Sequence, residues 1–374
     1  MNTVRIAKMV RLILLAFMIV LVPIVTSLTH PVFAETYTNR PPILIAGNDG
    51  FTGDNGVMGG SGTSDDPYAI SGWAIDVPVG GFGIEIANTT AYFMIGDNQL
   101  LCVSNFCGDG IRLYSIENAQ VENVHITVQG YGIKVNSSDN FLIHDSNIYA
   151  GGDGIRVDDS DNFQITANHI HGSGGQNSGG AECFSGGVIF LSMSSSFDVS
   201  NNSLEGGPFA IKGCNLSDAT IVGNIGGAED GIDLDNIASL LIGQNSLLAH
   251  VSIAVASCGD VTIDGNNATA HDTGISVGRC KDVMISNNIA SAPSIDGVGV
   301  SVGSSDRVTL TSNTISNNQF TGIFLANSAT GNTISDNLIG YNNCGITTDS
   351  TSPVDQNNIT DNTFVGNAQD FCAF

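Results

Sequence analysis

The sequence predicts an all-β chain wound as a single right-handed parallel β-helix solenoid, about 11–12 coils long, behind an N-terminal capping segment. Three observations carry that reading. Nine asparagines, Asn168, Asn202, Asn224, Asn245, Asn266, Asn288, Asn313, Asn337 and Asn362, form one column, each three residues after an aliphatic such as Ile165, Val199 or Ile221. The steps between them are 34, 22, 21, 21, 22, 25, 24 and 25, so one insertion interrupts a period near 22. A Gly-Ile-x-aliphatic beat also recurs, as in Gly110-Ile111-Arg112-Leu113, Gly132-Ile133-Lys134-Val135 and Gly154-Ile155-Arg156-Val157. Finally, 46 Gly and only 13% charged residues suit short strands joined by tight turns. No long stretch after residue 35 has helical apolar spacing.

Residues 1–34 read as a secretion signal. Arg5, Lys8 and Arg11 form a basic start, Leu12 to Val22 are uninterrupted apolar, and Val32-Phe33-Ala34 offers a cleavage site. The apolar run is short of the roughly 20 residues needed to span a bilayer, so no membrane span is expected after cleavage. Removing the signal leaves 8 Lys and Arg against 36 Asp and Glu, a net charge of −28. Such a balance argues against nucleic acid and against anionic membrane surfaces. Export to the cell surface, periplasm or medium follows, as a monomer.

Residues 35–42, with Pro41-Pro42, read as a linker. Residues 43–80, which hold the only tryptophan, Trp73, read as the cap that an exposed rod end requires. The β-helix then runs over 81–374. Each coil offers three short strands: the Gly-Ile beat, a second as in Phe141-Leu142-Ile143, and a third as in Asn168-His169-Ile170. At the asparagine corner the backbone must leave the sheet, and Asn tolerates the left-handed conformation expected there. Its amide is expected to bond its equivalents one coil above and below, which makes the column structural.

All eight cysteines follow the signal, and an exported chain permits disulfides. Cys102 with Cys107 would close a small loop, and Cys344 with Cys372 would fasten the tail. Cys258 and Cys280 are expected to stack as buried free thiols, because parallel Cβ vectors on adjacent strands strain a bridge.

The pattern resembles the pectate-lyase-like superfamily, and more narrowly exported β-helix repeats grouped with carbohydrate-binding and sugar-hydrolysis domains. That group includes the periplasmic copper-binding accessory protein of nitrous oxide reductase maturation. The entry segment Gly60-Ser61-Gly62-Thr63, Asp66-Pro67-Tyr68 and Gly72-Trp73 carries the likeness, as does Gly83-Ile84-Glu85-Ile86 before Asn88-Thr89. Departures are equally plain. The Gly-His-Gly and Arg-Ile-Lys signatures of polygalacturonases and the Arg-x-Pro-x-x-Arg of pectate lyases are missing, so no catalytic residue carries over.

The scarce basic residues are placed unevenly. Arg112, Lys134 and Arg156 fall in one outward column on successive coils, and Lys212 follows two coils later. This column, with Asp109, Asp153, Asp158 and Asp159 nearby, is either a cleft floor for acidic sugars such as uronates or a salt-bridged sheet face. The glycine-rich insertion His171–Gly187 emerges beside it, and Tyr149, stacked against His171, joins the candidate ligand-binding set. Asp153, Asp158, Asp233 and Asp235 are the candidate acids and bases if the chain cleaves polysaccharide. His169 and His125 are two coils apart with Asn147 between, too distant to share a metal. Copper would need ligands that do not align there. The acidic corner Asp158-Asp159-Ser160-Asp161 is the candidate Ca²⁺ site, the one cofactor the composition suggests. Three functions therefore stand: a non-catalytic module that binds polysaccharide or cell-surface glycan, a polysaccharide lyase or glycoside hydrolase on the same face, and a copper-delivery accessory protein.

Overall fold

The computed structural model describes residues 37–103, 106–174 and 186–373. The stretch read as a signal, and the centre of the insertion after His171, lie outside the described residues. Within them, strands pair in parallel with their equivalents one coil before and after, giving a β-solenoid of about 13 turns. Each coil contributes to three sheets. In the first, Ile133–Asn136 lies between the strand of Ile111 and Ile155–Asp158. In the second, Asp139–His144 pairs with Asp161–Thr166. In the third, Asn147–Ala150 lies between His125–Val128 and His169–Gly172.

Alternation along each strand sends every second side chain into the lumen, where equivalents stack. Ile111, Ile133, Ile155, Ile189, Ile211, Ile232, Ile253 and Ile275 make one such file. None is more than 1% exposed, and each contributes about 1.5–3 kcal/mol of burial. Phe141, Phe163 and Phe197 stack with centroids 4.8 and 4.9 Å apart, the spacing of neighbouring strands. The glycine of the Gly-Ile beat is sterically required: a Cβ on Gly132 would sit 2.3 Å from Ile148 Cγ2 and 2.4 Å from the Gly154 carbonyl oxygen.

The segment read as linker and cap is itself woven into the solenoid. Thr38–Arg40, inside the stretch expected to be a linker, pairs with Trp73–Asp76, and Ile43–Ala46 pairs with the strand of Ile84. The apolar pattern of Ile43 and Ile45, both buried, places them at the start of the core. Phe51 stacks on Tyr68 at 4.6 Å and reaches Phe93 at 5.5 Å, while Trp73 Nε1 donates to the Gly56 carbonyl.

The asparagine column forms a continuous hydrogen-bonded ladder. Asn224 Nδ2 and the Asn224 backbone N–H both donate to Asn245 Oδ1, each at 3.0 Å. Asn245 repeats this toward Asn266, and its Nδ2 also donates to the Ile221 carbonyl at 2.9 Å. The same rungs link Asn168 to Asn202 and run on to Asn362. The left-handed residue, however, is not the ladder asparagine but the one before it: Ala167, Asn201, Gln244 and Asn287 have φ of 57, 56, 54 and 55°. That residue turns the chain with its side chain outward, and the next position carries the amide inside. Nor does the column begin at Asn168. Ser146 accepts from the Val124 N–H, and Asn98, two coils further back, donates to the Ile70 carbonyl and accepts from the Trp73 N–H.

A second corner uses the same device, with serine in place of asparagine: Ser138, Ser160 and Ser194 accept the N–H of the residue one coil before. Cys258 and Cys280 occupy this corner, following left-handed Ser257 and Arg279. They form a disulfide, with Cα atoms 4.4 Å apart, instead of the free-thiol stack expected. The expectation treated them as flat-strand residues, whereas the corner turns both side chains inward and lets the sulfurs meet. Cys102–Cys107 and Cys344–Cys372 are disulfides as expected.

Ser146 keeps the acceptor role of a rung but donates to its own coil, at the His144 carbonyl. Asn245→Ser should therefore cost less than Asn245→Ala, and the alanine about 2–4 kcal/mol. Asn245→Asp should cost most above pH 5, because it sets a carboxylate against the Ile221 carbonyl and Asn266 Oδ1. Urea unfolding of the three variants checks the order; equal losses would contradict it.

Candidate functional site

The first sheet presents its outer face as a register column: Glu85, Arg112, Lys134, Arg156, Phe190, Lys212, Asp233 and Ala254. The strands are rigid because their alternate residues are locked in the core, so these side chains are held at strand spacing. Arg112 Nε lies 2.7 Å from Asp109, and Nη1 is 3.4 Å from Glu85. Arg156 lies 2.7 Å from Asp158 and 3.3 Å from Asp153, and Lys212 Nζ is 2.7 Å from Asp233. Lys134 is the exception: among the described residues no carboxylate comes within ion-pair distance of it.

Each cation also lies over an aromatic ring. Arg112 covers Phe82 at 5.4 Å, Lys134 covers Tyr131 at 5.4 Å, and Lys212 covers Phe209 at 4.9 Å. Arg156 sits 4.2 Å from the Phe190 ring and 5.8 Å from that of Tyr131. These rings belong to the site and were not singled out from the sequence. Phe190 in particular reads as core in the run Val188-Ile189-Phe190-Leu191, yet it occupies the outward column between Arg156 and Lys212. It is nevertheless fully buried, as Lys212 nearly is.

Asp153 is 1% exposed, and one of its oxygens, Oδ1, has no hydrogen-bond partner. Burial pushes its carboxyl up to about 6, against the opposing pull of Arg156 and the Gly187 N–H. Asp158 also accepts from the Ser192 hydroxyl at 2.6 Å. Asp233 and Asp235 share the outer face of one strand, as their alternation with buried Ile232 and Leu234 predicts. Asp230 joins them, its carboxyl raised by burial and accepting from the Val251 N–H. The register sets Asp235 three coils from Asp158, through Ser192 and Cys214, so the four candidate acids form two separate pairs.

Tyr149 and His171 do stack, 5.6 Å apart, but on strands of the third sheet and outside the basic column. They precede the corner after which the column's strands begin. His125, Asn147 and His169 stand in successive register, which keeps the two histidines two coils apart. Among the described residues no group of three or more His, Cys, Asp or Glu is placed to hold a metal ion. The acidic corner does not converge either. Asp158 faces Arg156, Asp159 accepts from Ser137, and Asp161 accepts from Ser195.

Two family models match the chain: the periplasmic copper-binding protein family over residues 210–372 and the right-handed β-helix region over 109–247. No curated protein matches it significantly. Among solved structures, a mutant of a periplasmic alginate epimerase is similar at 11% identity and TM-score 0.52, over 79% of this chain and 78% of the other. The A-module of a mannuronan C-5 epimerase from Azotobacter vinelandii gives 12% identity and TM-score 0.48, over 91% and 90%. The Dettilon tailspike protein gives 16% and 0.49, over 87% of this chain and 61% of that one. Repeat, topology and the two partial family matches agree on the architecture: the chain is a right-handed parallel β-helix repeat protein.

Proposed function

We propose that the chain is an extracytoplasmic β-helix module that binds carbohydrate through the outer face of its first sheet. The observation that carries this reading is the placement of its cations. Beyond residue 34 the sequence has only 8 Lys and Arg, and Arg112, Lys134, Arg156 and Lys212 share one column, each on an aromatic ring. The partly exposed rings of Phe82, Tyr131 and Phe209, bordered by charged hydrogen-bonding groups, offer stacking and polar contacts to a sugar at little entropic cost, while buried Phe190 supports Arg156 from beneath. Lys134, with no ion pair among the described residues, is the group proposed to meet a ligand carboxylate. The other three cations are already balanced, which limits the pull of this face on a polyanion. Similarity to the periplasmic alginate epimerase structure supports the fold that presents such a face. Disulfides and the periplasmic family match support the compartment.

One observation favours a second, catalytic reading. Asp153 combines an unpartnered oxygen with a carboxyl raised to about 6, the range in which a carboxylic acid can exchange protons at neutral pH. On that reading Asp153 is the acid or base of a lyase or hydrolase. Release of reducing ends or of unsaturated uronates from acidic polymers would show it, and silence across acidic and neutral polymers would rule against it.

Two measurements separate ligand contact from scaffold. Lys134→Ala should weaken binding to acidic oligosaccharides at least about tenfold with little change in stability, since it breaks no ion pair. Arg156→Ala should instead destabilise by about 3–5 kcal/mol, because it strands Asp153 and Asp158 in a buried site. Glycan binding untouched by Lys134→Ala would sink the site assignment.

Protonation of Asp153 gives a separate test. Its folded carboxyl holds a proton more tightly than the unfolded chain does, so its contribution to stability falls as pH rises from about 4 through 6. Asp153→Asn lacks this loss, so its stability relative to the wild type should rise by about 2–3 kcal/mol between pH 4 and 7. A difference that stays flat across that range would contradict the buried-acid account.

A further inference from the structure

We infer a second ligand site, for a neutral saccharide, at the corner between the third and first sheets of the last coils. A groove of about 660 Å³ lies there, lined by Pro293, Asn317, Gln319, Tyr341, Asn343 and Gly366 among others. In a chain of net charge −25 the groove has no charged side chain in its lining. With no charged side chain to pair with an ionic ligand, the lining points to hydroxyl chemistry.

Three features of the groove exceed what the scaffold needs. Asn317, Tyr341 and Gly366 are register equivalents at the left-handed position of this corner, with φ of 62, 58 and 67°. Asparagine and glycine suit that conformation, but a bulky tyrosine is an outlier there and costs on the order of 1 kcal/mol. Tyr341 is 66% exposed, and its ring packs against Gly366, where a Cβ would stand 3.0 Å from two ring carbons. The absence of a side chain at Gly366 therefore makes room for the ring beside this coil, while most of the residue stays open to solvent.

The amides divide their work. Asn318 and Asn342 are bound into a short ladder that ends at Asn367. Gln319 and Asn343, in the same corner segments, are exposed and make no side-chain hydrogen bond among the described residues. Each supplies a donor and an acceptor beside the ring, the pattern that pairs with vicinal hydroxyls while the ring takes the sugar's C–H face. The groove spans four coils, about 14 Å, room for a short run of pyranose rings. This site is distinct from the basic column and does not depend on it.

Isothermal titration of the purified protein with neutral oligosaccharides (β-1,4-glucan, β-1,4-mannan, α-1,4-glucan) and with oligogalacturonate and oligomannuronate tests it. We expect a neutral oligosaccharide to bind. Tyr341→Asn, which restores the residue type of Asn317, should weaken that binding at least about tenfold without lowering the melting temperature. Tyr341→Phe should retain it within about threefold, and Lys134→Ala should leave it unchanged. Failure of every neutral oligosaccharide to bind, or binding that survives Tyr341→Asn, would overturn the assignment. Loss of acidic-oligosaccharide binding in Lys134→Ala with none of these neutral effects would retain the first site and remove this one.

Discussion

Every coil of this protein must turn its backbone through corners that the next coil then covers. A covered corner leaves N–H and C=O groups that no strand partner can reach, and an unpaired buried amide costs about 1–3 kcal/mol. The ladder resolves this with one side chain per coil. Asn Oδ1 takes two donors from the coil before, and Nδ2 returns one bond to a carbonyl and one to the next rung. Because each rung's geometry depends on its neighbours, coil length can vary only outside the ladder. The 34-residue step between Asn168 and Asn202 is tolerated on these terms, since the rung across it is intact at 3.0 Å.

The same logic governs the outer face. Like charges at strand spacing repel, so a column of Arg112, Lys134 and Arg156 is stable only with compensation. Carboxylates on the same strands, Asp109 beside Arg112 and Asp153 with Asp158 beside Arg156, supply most of it. The face is therefore a salt-bridged surface and a candidate binding surface at once. What distinguishes ligand chemistry from scaffold on it is the group without a polar partner among the described residues: Lys134 among the cations, the Asp153 Oδ1 among the acids.

Much of this was legible in the sequence because parallel stacking converts three-dimensional register into arithmetic. The steps of 22 between Ile111, Ile133 and Ile155 announce the pairing that the structure shows. Column membership of Arg112, Lys134, Arg156 and Lys212 follows from the same count. Legibility failed wherever the local rule depends on conformation. The left-handed corner position is occupied by Ala167, Gln244 and Tyr341 as well as by asparagine, the less suited residues being held there by the stacked coils, so residue type does not mark it. Asn98 is isolated from its column by Val124 and Ser146, and period counting passes over it. Phe190 is hidden by the insertion, which breaks the count between Arg156 and Lys212, and its apolar neighbours disguise an outward residue. Cys258 and Cys280 were read as strand residues because nothing in the spacing says that they flank a corner.

Native-state hydrogen exchange tests most directly the claim that the ladder secures the coils. The backbone amides of Asn202, Asn224, Asn245 and Asn266 donate to side chains and not to strand carbonyls. If the ladder closes the corners as described, these amides exchange only through global unfolding, as slowly as the core amides of Ile221 and Ile242. Exchange of the four asparagines at rates orders of magnitude faster than those strand amides, with the core still protected, would show that the corners open independently and would contradict the account.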